Sequence, residues 1–187
     1  MFLVDEIRKD FPVFNDMTND KPLVYLDTAA SAQKPKCVID KICEVYTHAY
    51  ANVHRGTYAL ADIITKSYED ARQTIADFIG AKSADEIVFT RNATESINLV
   101  AATWATQNLK KGDVILVSEA EHHANLVPWQ MVAEKTGIEL RVFKIDDDGS
   151  FNEDAFEQAL TGDVKLVATT AMSNVLGTIF PVKKMAA

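Results

Sequence analysis

The sequence predicts an α/β fold, a mostly parallel sheet with helices on both faces. Three observations predict it. Short β-rich runs alternate with helical stretches of ten residues or more, the pattern left when each strand crosses back over the sheet before the next parallel strand begins. A hydrophobic content of 48% with 25% charged residues is that of a globular chain with a sizeable core. Internal repeats, low-complexity tracts and linker-like stretches are all absent, so the 187 residues read as one domain or a large piece of one.

Each element follows from its own residues. After a short amphipathic N-terminal piece, residues 23–27 (LVYLD) read as a strand. Pro35 opens a helix whose apolar positions Val38, Ile39, Ile42, Val45 and Tyr46 recur at helical spacing. The loop ANVHRG ends at Gly56, and a longer helix spans about 58–79, with Ile64, Tyr68, Ala71, Ile75 and Phe78 on one face and Gly80 placed to cap it. From there the order is strand, loop, helix. Residues 87–90 (IVFT) lead to a helix from about Thr94, and 114–117 (VILV) lead through a double histidine to a helix ending near Gly137. Residues 138–145 form a strand closed by the polar turn DDDG, 151–160 a short helix, and 164–170 (VKLVATT) another strand. Pro181 opens a last helix that reaches Ala187 without a capping signal or a completed apolar face, so a longer natural polypeptide is expected.

Charge and cysteine usage narrow the function. Against 27 acidic residues stand 19 basic ones, dispersed along the chain, for a net charge of −8; no nucleic acid and no membrane surface is expected as a partner. Cys37 and Cys43 match neither CxxC nor a zinc spacing and read as reduced structural thiols. MFLVDEIRKDF is too acidic for a signal peptide, and no apolar run approaches the ~20 residues of a membrane span. A cytoplasmic location is expected.

Chemistry concentrates where strands give way to helices. Residues 121–130, EHHANLVPWQ, place His122 and His123 at such a junction, where open α/β sheets collect ligands. An imidazole there can stack on a flat ring or move a proton. Neighbouring histidines on a helix diverge by about 100°, and HExxH is missing, so no metal site is expected; His123 reads as structural. Strand IVFT runs into Arg91-Asn92-Ala93-Thr94-Glu95, a helix start that offers free N–H groups to a phosphate, although Asn92 with Glu95 also spells a capping box. The seven glycines form neither GxGxxG nor GxxxxGK[ST], and GxSxG is missing too, which removes dinucleotide, P-loop and serine-hydrolase readings. Ser173-Asn174 follows a strand, where an amide could hold a ligand hydroxyl or simply shape a turn.

Five segments in order and spacing resemble a known family: YLDTAASAQKP (25–35), ANVHRG (51–56), RNATESINLVA (91–101), EHHANLVPWQ (121–130) and SNVLGT (173–178). The chain is similar to the N-terminal part of class V aminotransferase-fold cysteine desulfurases of the sulfur-mobilisation type. The resemblance implies a fold-type I large domain, incomplete at its C-terminus, with residues 1–187 forming an N-terminal segment plus the first part of that domain. It implies pyridoxal 5′-phosphate (PLP) as cofactor, L-cysteine as substrate, a sulfur-acceptor protein as partner, and a homodimer in the full-length form. Ala93 and Thr94 would donate to the cofactor phosphate, His122 would stack on the pyridine ring and shuttle a proton, and Asn174 would bond the ring hydroxyl. Ala29 and Ala30 would border the substrate, and His54 and Arg55 would shape the pocket mouth. A stacking ring, a helix terminus and an amide are what a flat anionic cofactor requires.

One departure qualifies the resemblance. The family's Schiff-base lysine follows Ser-Gly-His, and none of Lys110, Lys111, Lys144, Lys165, Lys183 or Lys184 sits in that motif. Neither Cys37 nor Cys43 matches the persulfide position. The chain alone is therefore expected to be inactive. The alternatives within reach of the same residues are a non-catalytic interaction module of this fold, and a fragment of a selenocysteine lyase or another class V lyase.

Overall fold

The computed structural model describes residues 3–15, 17–18 and 20–187, with backbone only at 17–18, so Met1 and Phe2 of the expected N-terminal piece lie outside the described residues. The chain divides into two units, Met1–Val88 and Phe89–Ala187.

In the first unit, α1 (Val4–Arg8) is followed by a two-stranded antiparallel ribbon of β1 (Met17–Thr18) and β2 (Lys21–Pro22). Residues 23–27 are not a strand, as their sequence had suggested. The segment turns back on itself instead: the Ala30 and Ser31 N–H groups both donate to the Asp27 carbonyl, at 3.1 and 3.0 Å. Pro35 caps α2 (Lys36–Glu44), which runs on as a π-helical turn through Val45–Ala49. The long α3 (Ala59–Ile79) ends on Gly80 in the left-handed conformation, as expected. Its entry requires a glycine at 56, because a Cβ there would stand 2.2 Å from that of Ala61. The expected apolar face is only partly used. Ile64 and Tyr68 are half-buried, but Ala71 and Ile75 are exposed and Phe78 is 88% exposed, and the residues this helix does bury, Ala61 and Ala76, lie outside the expected set.

In the second unit, α4 (Ala93–Val100) continues through a π turn (Ala101–Ala105) into α5 (Thr106–Asn108). There follow β3 (Val114–Ser118), a 3₁₀ turn (His123–Asn125), α6 (Val127–Thr136), β4 (Glu139–Phe143), α7 (Glu153–Ala159), β5 (Val164–Ala168) and α8 (Val182–Met185). The sheet order is β4-β3-β5, all parallel, with Val114 opposite Glu139 and Ser118 opposite Phe143 on one side, and Val117 opposite Ala168 on the other.

Central position explains β3. Every one of its residues is buried, as a strand covered on both faces demands, and each fully buried aliphatic side chain contributes roughly 1.5–3 kcal/mol. Ile115 and Val117 point to one face, where Ala101, Ala105, Leu109, Trp129 and Val132 pack on them. Leu116 points to the other, against Phe143, Phe156 and Phe180. Helices thus cover both faces, as predicted. Residues 87–90 do not join the sheet: an extended run becomes a strand only when another edge pairs with it, and none among the described residues does. No helix among the described residues is long and apolar enough to cross a membrane.

Candidate cofactor site

The exit from β3 is tightly bonded. Glu121 accepts from Ser118 Oγ (2.5 Å) and the Thr170 N–H (2.8 Å) through one oxygen, and from Asn125 Nδ2 (2.8 Å) through the other. Asn125 Oδ1 in turn accepts from Trp129 Nε1 at 3.0 Å. His122 caps the 3₁₀ turn, its Nδ1 accepting from the Ala124 N–H at 3.1 Å. With Nδ1 used as an acceptor, the neutral ring carries its proton on Nε2. The two histidine rings stand edge to face, 6.2 Å apart and nearly perpendicular, so they do not converge on one point. Among the described residues there is no cluster of three metal-ligating side chains.

Opposite this turn lies the start of α4. Asn92 Oδ1 accepts from the Glu95 N–H at 2.9 Å, as an N-cap should. The reciprocal half of the capping box is displaced by one residue, for Glu95 accepts from the N–H of Arg91 (2.7 Å) rather than that of Asn92. That bond, with the Arg91 guanidinium added, holds the Glu95 carboxyl below its ordinary range. The N–H groups of Ala93 and Thr94 find no acceptor among the described residues, leaving two first-turn donors available at the positive end of the helix.

A cleft of about 550 Å³ lies between these parts, lined by Ala93, Ser96 and Ile97 of α4, by Glu121, His122 and Asn125, and by residues 166–170 at the end of β5. That size falls within the roughly 300–1,000 Å³ of small-molecule sites. An imidazole, free helix N–H groups and an apolar wall fit a flat ring bearing a phosphate. Ala93 and His122 share this cleft; Thr94 and Asn174 do not line it. Asn174 lies exposed at the tip of a turn that the buried Ser173 organises, its Oγ accepting from the N–H groups of Val175 and Leu176.

The remaining predicted positions belong to the first unit. Ala29 and Ala30 lie exposed in the turn after Asp27. His54 adopts φ 68°, a left-handed conformation uncommon outside glycine. Its N–H donates to Thr65 Oγ1 (2.9 Å), its Nε2 meets Glu69 (2.6 Å), and its ring stands edge-on to Tyr68 at 5.6 Å. The His54 ring, aided by Arg72, keeps the Glu69 carboxyl below its usual range. Arg55 is exposed beside it. Sequence reasoning missed the role of Glu121, Asn125, Ser118 and Thr170; the only local signal was an acidic residue directly before the double histidine.

The aminotransferase class-V family model matches residues 24–187. The chain belongs to that family. Among class-V relatives, a cysteine desulfurase of Salmonella newport is 48% identical over 186 residues, which is 100% of this chain and 46% of the relative. The structure resembles an apo cysteine desulfurase from Thermococcus onnurineus with a TM-score of 0.89 and 39% identity, covering 99% of this chain and 44% of that one. The cysteine desulfurase CsdA from Escherichia coli gives 0.82 and 38%, covering 100% and 45%. The chain therefore spans under half the length of these relatives.

Proposed function

We propose that this chain is the N-terminal segment and first part of the PLP-binding large domain of a cysteine desulfurase, and that its cleft forms the phosphate and ring-facing half of the cofactor site. The observation that carries this reading is that His122 and Ala93, at the first turn of α4, line one cleft. The Ala93 and Thr94 N–H groups bind the phosphate. His122 lies against the ring and holds a proton at Nε2, available to the reacting substrate. Asn174 bonds the ring hydroxyl, Ala29 and Ala30 border L-cysteine, and His54 with Arg55 shapes the pocket mouth. PLP, when bound, supplies the electron sink for cleaving the carbon–sulfur bond of cysteine; alanine leaves and the sulfur passes to an enzyme thiol. The similarity to cysteine desulfurases supports this assignment. The full-length protein acts as a cytoplasmic homodimer delivering sulfur to an acceptor protein for iron–sulfur cluster assembly. No lysine of the chain follows Ser-Gly-His, so the 187 residues alone bind the cofactor weakly and do not turn cysteine over.

Titrating ¹⁵N-labelled chain with PLP tests this. The Ala93 and Thr94 amides and the His122 ring are expected to shift, and borohydride is expected to leave no lysine labelled stoichiometrically. Shifts confined to other residues, no shift at all, or a single stoichiometric lysine adduct would each overturn the reading.

A further inference from the structure

We propose that Glu121 is a positioning residue for His122, acting through a hydrogen-bond chain whose direction depends on its carboxylate. The proposal rests on the reading of His122 as the cofactor-facing ring, and it adds a residue to which that reading gives no role.

The chain runs one way. Trp129 Nε1 can only donate, and an ionised carboxylate can only accept. Asn125 lies between them with Oδ1 toward Trp129 (3.0 Å) and Nδ2 toward Glu121 (2.8 Å), the one amide orientation that satisfies both. Trp129 and Ser118 are 3% and 2% exposed, so neither can readily exchange its partner for water. Glu121 also collects the Ser118 hydroxyl and the Thr170 N–H, joining the ends of β3 and β5.

These bonds bracket the histidine. Glu121 directly precedes His122, and Asn125 closes the 3₁₀ turn that His122 caps. Among the described residues the His122 side chain has a single hydrogen bond, accepted from the Ala124 N–H inside that same turn. Its placement is thus inherited from Glu121 on one side and Asn125 on the other.

The carboxylate has no neutral substitute. In Glu121→Gln the new amide group must face either Thr170 or Asn125. The Thr170 backbone donor cannot turn away. Facing Asn125 forces that side chain to flip, which sets its Nδ2 against the Trp129 N–H. Either way two donors oppose each other. Removing the Trp129 donor relieves the second arrangement, so Trp129→Phe is expected to rescue Glu121→Gln. A residue that merely filled space would show no such rescue.

The test uses ¹⁵N-histidine-labelled chain without ligand, then with PLP, after circular dichroism has shown each variant folded. Wild type is expected to hold His122 as one Nε2–H tautomer. Glu121→Gln is expected to give both tautomers, and to weaken PLP binding about tenfold or more, the effect of leaving a buried polar group opposed or unpaired. The double variant returns to one tautomer, and this readout decides the rescue, because Trp129 itself lines the cleft. Asn125→Ala, which removes the middle link and keeps the carboxylate, also mixes the tautomers and serves if Glu121→Gln does not fold. A wild-type His122 signal in folded Glu121→Gln or Asn125→Ala, or failure of Trp129→Phe to rescue, overturns the proposal. If wild type binds no PLP while the tautomer series behaves as described, the cofactor reading fails and the positioning role of Glu121 stands.

Discussion

Replacing Phe143 by alanine tests whether the aromatic face of the sheet supplies stability independently of the cleft. Phe143 closes β4 at 2% exposure, its ring 5.3 Å from that of Phe156, 6.0 Å from Phe151 and 6.3 Å from Phe180. Truncation removes the transfer free energy of the ring and leaves a cavity that the other rings fill only in part, a loss of about 3–5 kcal/mol. In a unit of this size each kcal/mol moves the midpoint by about 4–8 °C, so Phe143→Ala should melt at least ~12 °C below wild type. Phe143→Leu keeps most of the volume and should cost about 1–2 kcal/mol. The neighbouring Val142, 47% exposed on the same strand, is the control, and its alanine variant should remain within ~1 kcal/mol. Denaturant unfolding followed by far-UV circular dichroism gives all three values. Equal losses at 142 and 143, or a loss below ~1 kcal/mol for Phe143→Ala, would refute the difference in burial between these two neighbours on β4. Shifted His122 signals in Phe143→Ala would refute the independence of the two faces.

Three further outcomes are expected. Arg141, which bonds Asp163 at 3.1 and 3.3 Å and is joined by the Thr161 hydroxyl, holds the Asp163 carboxyl down at about 2; because that folded value is depressed, the stabilisation is full above the ordinary carboxylate range near 3.8 and is lost as pH falls toward 2, so the stability gap between wild type and Asp163→Asn should close over that interval. Asn92→Ala removes the N-cap bond to Glu95 and should cost about 0.5–2 kcal/mol, with weaker PLP shifts at Ala93 and Thr94; unchanged shifts would argue that the cap does not organise the donors. Gly137 ends α6 at φ 74° with only ordinary contacts awaiting a Cβ, so Gly137→Ala isolates the conformational penalty of about 1–2 kcal/mol, readable in the same unfolding assay.

Much of the second unit was legible in the residues. VILV marks β3 because a strand covered on both faces needs an unbroken apolar run, and Gly137 marks the end of α6 because its conformation suits glycine. Pairing is a different matter. Residues 23–27 and 87–90 have strand composition as good as β5, but composition is local while a ladder needs a second edge, and only the second condition separates them from β5. The site divides in the same way. His122 and the α4 start could be found because each lies at a strand-to-helix junction along the chain. The Glu121 bond to Thr170 joins residues 49 apart, and no local pattern announces it. Asn174, near a strand end in sequence, lies at the tip of a turn because Ser173 takes up the surrounding N–H groups.

The π turn at Ala101–Ala105 sets the phase between the two ends of one helix. Its extra residue rotates everything before it by about 100° relative to everything after it. Ala101 and Ala105, at the two ends of the turn, can therefore both face the sheet while Ala93 stands at the cleft. Deleting a single exposed residue there, such as Ala102, would restore a regular helix and turn the first turn of α4 away from His122 without altering any residue that lines the cleft near the histidine. In this helix the direction of binding is stored as a count of residues.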